Sequence, residues 1–196
     1  MPALREHAWT ADEVRALPDV PGTRFEVVDG ELLVSPGPRI PHQIVLSLLF
    51  SALHAYITQH GLGILLWGPG EIQLDATTLV QPDLFVLRIE ALTEEPVLPV
   101  ASATPEHVRL VIEALSPRTT RHDRVVKLAR YRRERLEYWI VDHEAGVIER
   151  WLPDATRPEI LAESLTWRVE GVDAPLVIDL RVLFAGVYPS RRREER

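Results

Sequence analysis

The sequence predicts one domain of the α/β or α+β mixed class, with a central mixed β-sheet flanked by a helix on each face and an N-terminal β-hairpin. Two observations lead to this prediction. The predicted elements run in the order hairpin, helix, strands, helix, strands, which places helices between groups of strands. In addition, a chain of 196 residues is long enough to bury a sizeable core without disulfides or metals.

The composition limits the classes of protein to which the chain can belong. It contains no cysteine, which excludes disulfides and thiolate metal sites. Its N-terminus lacks the apolar core of a signal peptide, and no apolar run reaches the ~18 residues that span a membrane. We therefore expect a cytoplasmic protein without a membrane segment, with a single domain over residues 1–188 and a disordered basic tail over residues 189–196.

The first third of the chain contains three strong local signals. The segment "TADE" at residues 10–13 predicts a capping box that opens a short helix ending before Pro18. "RFEVVDGELLVS" predicts two strands joined by Asp29-Gly30, a pair that favours a type I′ turn. With this turn, four residues share one face of the hairpin: Glu26, Val28, Glu31 and Leu33. Helical spacing of apolar residues then predicts a helix from about His42 to His60, stopped by Gly61.

The rest of the chain predicts strands around one further helix. "GILLWGPGEIQLD" is interpreted as a strand interrupted at residues 68–70, and "LVQPDLFVLR" and "VRLVIEALS" as two more strands. Thr120 then opens a helix to about Arg135, with Asp123 placed for a capping box. "LEYWIVD" and "GVIERWLP" predict a hairpin, and "EILAES" and "LVIDLRVLF" predict short strands near the C-terminus.

Two acidic residues interrupt strands that should contain only apolar side chains. Asp83 follows Pro82 in "LVQPDLFVLR", and Glu113 lies inside "LVIEAL". Because an ionised carboxylate is costly in an apolar interior, each needs an arginine, a lysine or a metal ion as its partner. If the two strands are neighbours, both carboxylates can meet at one cation, and hard oxygen ligands suit Mg²⁺ or Mn²⁺.

The predicted helix after Glu113 has an excess of positive charge in a chain whose net charge is −7. Only Asp123 and Glu134 oppose its basic residues, which are Arg121, Arg124, Lys127, Arg130, Arg132, Arg133 and Arg135. Such a helix can contact nucleic-acid phosphates, or it can simply be a solvated face. On a helical wheel, Lys127 lies in a stripe with Asp123 and Tyr131, opposite the apolar residues Val125, Leu128, Ala129 and Leu136.

Several segments together resemble a known family. Pro82-Asp83, Glu113 and a following lysine resemble the PD-(D/E)XK nuclease superfamily. "FEVVDGELL", "QPDLFVL", "LVIEALSPRTTRHDRVVKLARY" and "EYWIVD" resemble the Uma-two family, whose members are described as restriction endonucleases. The resemblance runs from about Thr10 to about Phe184. One position departs from the superfamily pattern, because Leu115 stands where the motif has lysine; in the Uma-two family the lysine lies on the following helix, and Lys127 matches it.

The resemblance implies a restriction-endonuclease-like core and a Mg²⁺- or Mn²⁺-dependent endonuclease that cuts DNA. Asp83 and Glu113 would hold the metal, and Lys127 would orient the attacking water or neutralise the scissile phosphate. Glu26 matches a glutamate of the family's opening hairpin and would be a further ligand or base. His42 matches a histidine at the start of the first long helix and would line the same cleft. Cutting both strands with one site per chain requires a homodimer or two encounters.

Structural interpretations of the same residues remain open. Glu113 can form a buried salt bridge, for which the candidate partners are Arg109, Arg124 and Lys127. Lys127 can be a solvated lysine paired with Asp123, and Asp123 itself can be a helix-capping acid. At the level of function, two alternatives to the nuclease are a catalytically inactive relative that binds nucleic acid or protein, and a hydrolase of small phosphate esters. The sequence lacks the Gly-rich phosphate loop that would favour the latter.

Overall fold

A computed structural model describes residues 8–92, 102–116 and 120–188, so the predicted tail over residues 189–196 lies outside it. The described strands form sheets of six, four and two members. Four α-helices accompany them, α1 to α4, at Ala11–Arg15, Ile40–Gln59, Leu128–Arg133 and Leu180–Val187. A π-helical segment, His122–Lys127, leads directly into α3, and two short 3₁₀ helices span Glu90–Leu92 and Pro105–His107.

The six-stranded sheet is the centre of the fold. In spatial order it consists of β10, β9, β8, β7, β6 and β3, at Glu159–Leu161, Val147–Trp151, Glu137–Asp142, Val108–Ala114, Leu84–Arg88 and Gly63–Trp67. Its neighbours are antiparallel except β7 and β8, which run parallel. The helical segment between these two strands is the crossover that a parallel pair requires. The predicted mixed sheet is therefore confirmed.

A four-stranded sheet lies beside it and contains the predicted hairpin. Its spatial order is β2, β1, β5 and β4, at Glu31–Pro36, Thr23–Val28, Thr78–Val80 and Ile72–Asp75. Asp29 and Gly30 both have positive φ, as a type I′ turn requires, and they pair Val28 with Glu31 and Glu26 with Leu33. The predicted register is confirmed. The two-stranded sheet joins β11 and β12, at Ser164–Trp167 and Leu176–Asp179.

Helices cover both faces of the six-stranded sheet, as predicted. Val45, Leu49 and Leu53 of α2 are fully buried in one apolar cluster with side chains of β6, β7 and β8. On the other face, Tyr131 of α3 belongs to a second cluster that also contains Val28 of the hairpin. By length and composition α2 is able to cross a membrane, but a core helix meets the same test.

Several predicted boundaries are wrong because their pairing partners are distant in sequence. The segment "LVQPDLFVLR" is not one strand: β5 ends at Val80 in the four-stranded sheet, and β6 begins at Leu84 in the six-stranded sheet. The segment interrupted at residues 68–70 is divided between the same two sheets. "LVIDLRVLF" is a strand only to Asp179, whose side chain accepts a hydrogen bond from the Val182 amide and caps α4.

Candidate active site

The chain crosses from the four-stranded to the six-stranded sheet between β5 and β6, and at this point it lines a cavity of about 170 Å³. The hairpin with the loop that follows it, the end of β7, the first turn of α2 and the π-helical segment form the other walls. All five residues that the sequence predicted as site residues line it: Glu26, His42, Asp83, Glu113 and Lys127. The structure therefore brings together side chains from five separate parts of the chain.

Asp83 lies at the crossing point and is held on both carboxylate oxygens. Its Oδ2 accepts the Ala114 amide at 2.9 Å and lies 3.0 Å from His42 Nε2. Its Oδ1 accepts hydrogen bonds from both terminal nitrogens of Arg24, each at 3.1 Å. Burial alone would raise the pKa of Asp83, but the His42 hydrogen bond and the Arg24 charge outweigh burial and hold the pKa well below its usual value. Asp83 is therefore ionised.

Glu113 is buried on the face of β7 that α3 and the hairpin cover. Its Oε1 lies 2.8 Å from Lys127 Nζ, and its Oε2 accepts the Asp83 amide at 3.3 Å. The Tyr131 hydroxyl lies 3.5 Å from Oε1. The Ala114 amide donates to the Asp83 carboxylate, and the Asp83 amide donates to the Glu113 carboxylate. These two reciprocal hydrogen bonds hold the two acids side by side. β6 and β7 pair directly in the sheet, which is the condition under which the sequence allows the two carboxylates to meet at one cation.

The electrostatics of Glu113 differ from those of Asp83. Burial raises the pKa of Glu113 well above its usual value. The Lys127 charge opposes this shift, whereas repulsion from Asp83, Asp123 and Glu26 adds to it. The ionised form of Glu113 is thus less stable here than in water, and an additional cation in the cavity would stabilise it.

Lys127 is almost fully buried, with 3% of its surface exposed, although it belongs to a helix. Its Nζ lies 2.8 Å from Glu113, 2.9 Å from Glu26 and 3.7 Å from Asp123. Burial alone would lower the pKa of Lys127, but attraction to these acids raises it well above its usual value. The stripe predicted on the helical wheel is therefore the inward face, and Val125 on the opposite side is 56% exposed. The interpretation of Lys127 as a solvated lysine is wrong.

Glu26 lies on the buried face of the hairpin, and its side chain lines the cavity. Its Oε1 accepts the Gln81 amide at 2.7 Å and lies 2.9 Å from Lys127 Nζ. Glu31, which the pairing places on the same face, is exposed at the turn. Arg24 was missed by sequence reasoning, although its spacing of two from Glu26 places it on this face of β1. That alternation was the signal that could have identified it.

His42 lies in the first turn of α2, which begins two residues earlier than predicted. The ring is buried, and Nε2 is the nitrogen that meets Asp83. In the part of the chain that the structure describes, Nδ1 is buried without a hydrogen-bond partner. His42 therefore orients Asp83 through Nε2, while Nδ1 has no hydrogen-bond partner among the described residues.

The remaining sequence-based candidates have structural partners of their own. Arg124, one of the proposed partners for Glu113, instead pairs with Asp142 and Glu149. Asp123, interpreted as a capping acid, is buried and lines the cavity. Most of the other basic residues of the predicted helix are engaged within the protein, as shown by the ion pairs of Arg130 and Arg135 and by the stacking of Arg132 on Trp151. Arg121, Arg132, Arg133 and Arg135 nevertheless remain exposed, so the helix still presents a basic face.

The charges and ligand types of the cavity fit a hard divalent cation. Four carboxylates line it, those of Glu26, Asp83, Glu113 and Asp123, against the three cations Arg24, Arg39 and Lys127. Among residues 8–92, 102–116 and 120–188, no cluster of three or more His, Asp or Glu side chains is arranged to bind a metal by itself. Mg²⁺ does not need one, since one or two carboxylates with water and substrate phosphate are its usual ligands. Asp83 and Glu113 can supply those carboxylates.

This fold and this pair of acids with an adjacent lysine define a nuclease-like domain. The fold is similar to the crystal structure of "a putative nuclease belonging to DUF820" from Anabaena variabilis, with a TM-score of 0.73 and 16% sequence identity over 91% of this chain and 99% of that chain. The sequence model of the Uma2 family, described as "Putative restriction endonuclease", matches residues 11–180. The protein therefore belongs to the Uma2 family. No curated protein matches the sequence.

Proposed function

We propose that the protein is a Mg²⁺- or Mn²⁺-dependent endonuclease that hydrolyses phosphodiester bonds in DNA, through one domain spanning residues 1–188. One observation supports this proposal most directly: Asp83 and Glu113 share a single cavity with the buried ammonium of Lys127. The carboxylates outnumber the arginine and lysine cations that line the cavity, which favours a bound metal ion, and Lys127 is a donor suited to phosphate. Membership of the Uma2 family supports nuclease chemistry in general.

Asp83 and Glu113 are the proposed metal ligands. When bound, the metal ion supplies charge stabilisation for the phosphate and makes water a better nucleophile. The protein prepares the ligands by fixing Asp83 through the Ala114 amide and His42, and Glu113 through the Asp83 amide. This arrangement leaves little side-chain freedom to lose when the ion binds.

Lys127 is proposed to act as a cation and hydrogen-bond donor rather than as a base. Because its neighbours raise its pKa, the ammonium keeps its proton and can donate to a phosphate oxygen or orient the attacking water. Glu26 also contacts this ammonium, at 2.9 Å, and is proposed as a positioning residue or as a further ligand or base. His42 is proposed to fix Asp83 in its ionised form.

A second candidate function is favoured by a specific observation. Each of the two proposed ligands already has an internal cation, since Arg24 pairs with Asp83 and Lys127 with Glu113. A relative that had lost catalysis would keep such a self-paired cluster and bind nucleic acid or protein without cutting. The two functions differ in whether the cavity takes up a metal.

The proposal is tested by calorimetric titration of Mn²⁺ into the wild-type protein and the Glu113→Gln and Asp83→Asn variants. We expect one site per chain in the wild type and loss of that site in both variants. Glu31→Gln is the matched control, because Glu31 lies on the same hairpin face but outside the cavity. Mn²⁺-dependent nicking of plasmid DNA should follow the same order. Wild-type uptake of the metal that survives both substitutions would refute the site, and an absence of uptake even with DNA present would favour the inactive relative.

A further inference from the structure

A second pocket of about 410 Å³ opens beside the catalytic cavity. It lies between α2 and the end of β3, the edge strand of the six-stranded sheet. Arg24, His42 and Asp83 line both spaces, so the Arg24–Asp83 pair forms their common boundary. A molecule in the second pocket would therefore lie directly beside a phosphate held in the first.

An aromatic side chain at the outer edge of this pocket is exposed yet held in place. Trp67 is the last residue of β3. It is 62% exposed, and no other tryptophan in the described residues is among the exposed large apolar side chains. Phe50 of α2 packs edge-on against it, with ring centroids 4.7 Å apart and ring planes at 73°. Since Phe50 fixes the indole, Trp67 offers a pre-positioned flat surface instead of a mobile one.

The rest of the wall supplies hydrogen-bonding groups. Gln43, Ser47 and Ser51 lie on successive turns of α2 and add an amide and two hydroxyls to the lining. The guanidinium of Arg24, which pairs with the carboxylate of Asp83, adds a cation with N–H donors where the two spaces meet. The ligand that fits these groups is flat and partly polar, and it has an anionic group at the Arg24 end.

We propose that this pocket receives one unpaired nucleobase of the substrate strand, stacked on Trp67, while the adjoining phosphate lies at Arg24 in the catalytic cavity. The inference rests on the proposed nuclease function and specifies its substrate. Charge complementarity at Arg24 and continuity with the catalytic cavity select a nucleotide over an apolar peptide or a second copy of the chain. Aromatic side chains beside nucleic-acid channels stack bases in this way without requiring a particular sequence.

The proposal has a consequence for the form of the nucleic acid. A base enclosed between α2 and Trp67 cannot remain paired, so it must come from a single strand or be turned out of a duplex. Single-stranded DNA, or a duplex with an unpaired base, should therefore bind more tightly than a fully paired duplex of the same length.

The test is fluorescence anisotropy with a labelled oligothymidine strand and the matching duplex, without added divalent metal. Trp67→Ala should weaken binding of the single strand about tenfold or more, whereas Trp67→Phe should retain most of the affinity. Ile160→Ala is the matched control, because Ile160 is 60% exposed on the opposite edge strand. Introducing one abasic position into the strand should weaken its binding to the wild type. The same abasic position should weaken binding to Trp67→Ala only slightly, because the substitution has already removed the stacking contact.

The outcomes separate this proposal from the nuclease function. If Trp67→Ala folds, as thermal unfolding will show, and binds the single strand as tightly as the wild type, the base pocket is wrong while metal-dependent cleavage can still stand. Equal weakening for single strand and duplex would also overturn it, because the contact would then not require an unpaired base. If the wild type sediments as a larger species than Trp67→Ala in the absence of DNA, the surface would be assigned to self-association instead. Failure of the wild type to bind any strand would overturn the base pocket, while the Mn²⁺ titration and plasmid nicking would still decide the nuclease function.

Discussion

The ammonium of Lys127 lies 2.8 Å from the carboxylate of Glu113, although the two residues are 14 positions apart and belong to different elements. Glu113 is near the end of β7, and Lys127 ends the π-helical segment that follows. The lysine that the superfamily motif places two residues after the acid therefore approaches from the crossover helix. Its contacts with Glu113 and Glu26 tie this helix to both large sheets.

Removing the ammonium should damage the fold as well as the chemistry. Lys127→Met leaves Glu26, Glu113 and Asp123 buried without their shared cation, and breaking a buried pair in this way costs on the order of 3–5 kcal/mol. Urea unfolding at pH 7 measures this loss. Arg133→Met makes the same change of charge on an exposed part of the helix and should cost far less. Equal losses for the two variants would show that Lys127 is not the shared partner.

The two proposed metal ligands should respond to neutralisation in opposite ways. The pKa of Asp83 is lowered, so its ionised form stabilises the fold above its unfolded value of about 4. Asp83→Asn should therefore lower the free energy of unfolding at pH 7 by on the order of 2 kcal/mol, as expected for hydrogen bonds to a charged group. The difference from the wild type should shrink as pH falls below about 4, where the wild type also loses this charge.

Glu113→Gln should have the reverse pH dependence. Because the pKa of Glu113 is raised, ionisation of this group opposes folding as pH rises above its unfolded value of about 4.3. The glutamine variant lacks this penalty, so its stability relative to the wild type should rise between pH 4 and pH 7. Urea midpoints of both variants across this range provide the measurement. Parallel curves for Asp83→Asn and Glu113→Gln would contradict the opposite electrostatics of the two acids.

Arg24 should compete with the metal for Asp83. Its two nitrogens occupy Oδ1, and its charge repels an incoming divalent cation. Arg24→Ala should therefore bind Mn²⁺ several-fold more tightly than the wild type in the absence of nucleic acid. Arg15→Ala is a matched control, since the Arg15 side chain is 24% exposed, against 23% for Arg24, and pairs with Glu71 rather than with Asp83. Weaker metal binding by the Arg24 variant would mean that the guanidinium supports the site.

Arg130 should be the main clamp between α3 and the four-stranded sheet. Its guanidinium is 4% exposed and contacts Asp29 at the hairpin turn and Asp75 at the end of β4. Arg130→Ala should lower the free energy of unfolding by about 1–3 kcal/mol, because hydrogen bonds to charged groups are lost. Arg135→Ala removes an exposed pair with Asp154 and should change stability by less than about 1 kcal/mol. Guanidinium chloride unfolding compares the two, and a reversed order would reject the clamp.

Features set by neighbouring residues were predictable from the sequence. Asp29-Gly30 fixes the hairpin register within four residues, and this placed Glu26 correctly beside Leu33. The capping box at Thr10 and Glu13 is likewise local and is present as predicted. Asp83 and Glu113 were recognisable because an acid in an apolar strand is anomalous wherever the strand pairs.

Features set by distant partners were not predictable in this way. The crossing between sheets after Val80 depends on where β5 and β6 find partners, which the segment itself does not encode. The helical wheel found the correct stripe but not its direction, because ion pairing to Glu26 and Glu113 overrode the preference for burying Val125. A π-helical turn in the same segment also departs from the α-helical period on which the wheel rests.

In the proposed site, Lys127 of the crossover helix takes the place of the strand lysine, so position 115 needs no charged side chain. Leu115 has joined the apolar cluster that contains Val28, Leu33 and Tyr131. Leu115→Lys would therefore bury a second ammonium among apolar side chains, in addition to that of Lys127. We therefore expect related sites to be identified better by the spatial arrangement of Asp83, Glu113 and Lys127 than by the consecutive residues of the strand motif.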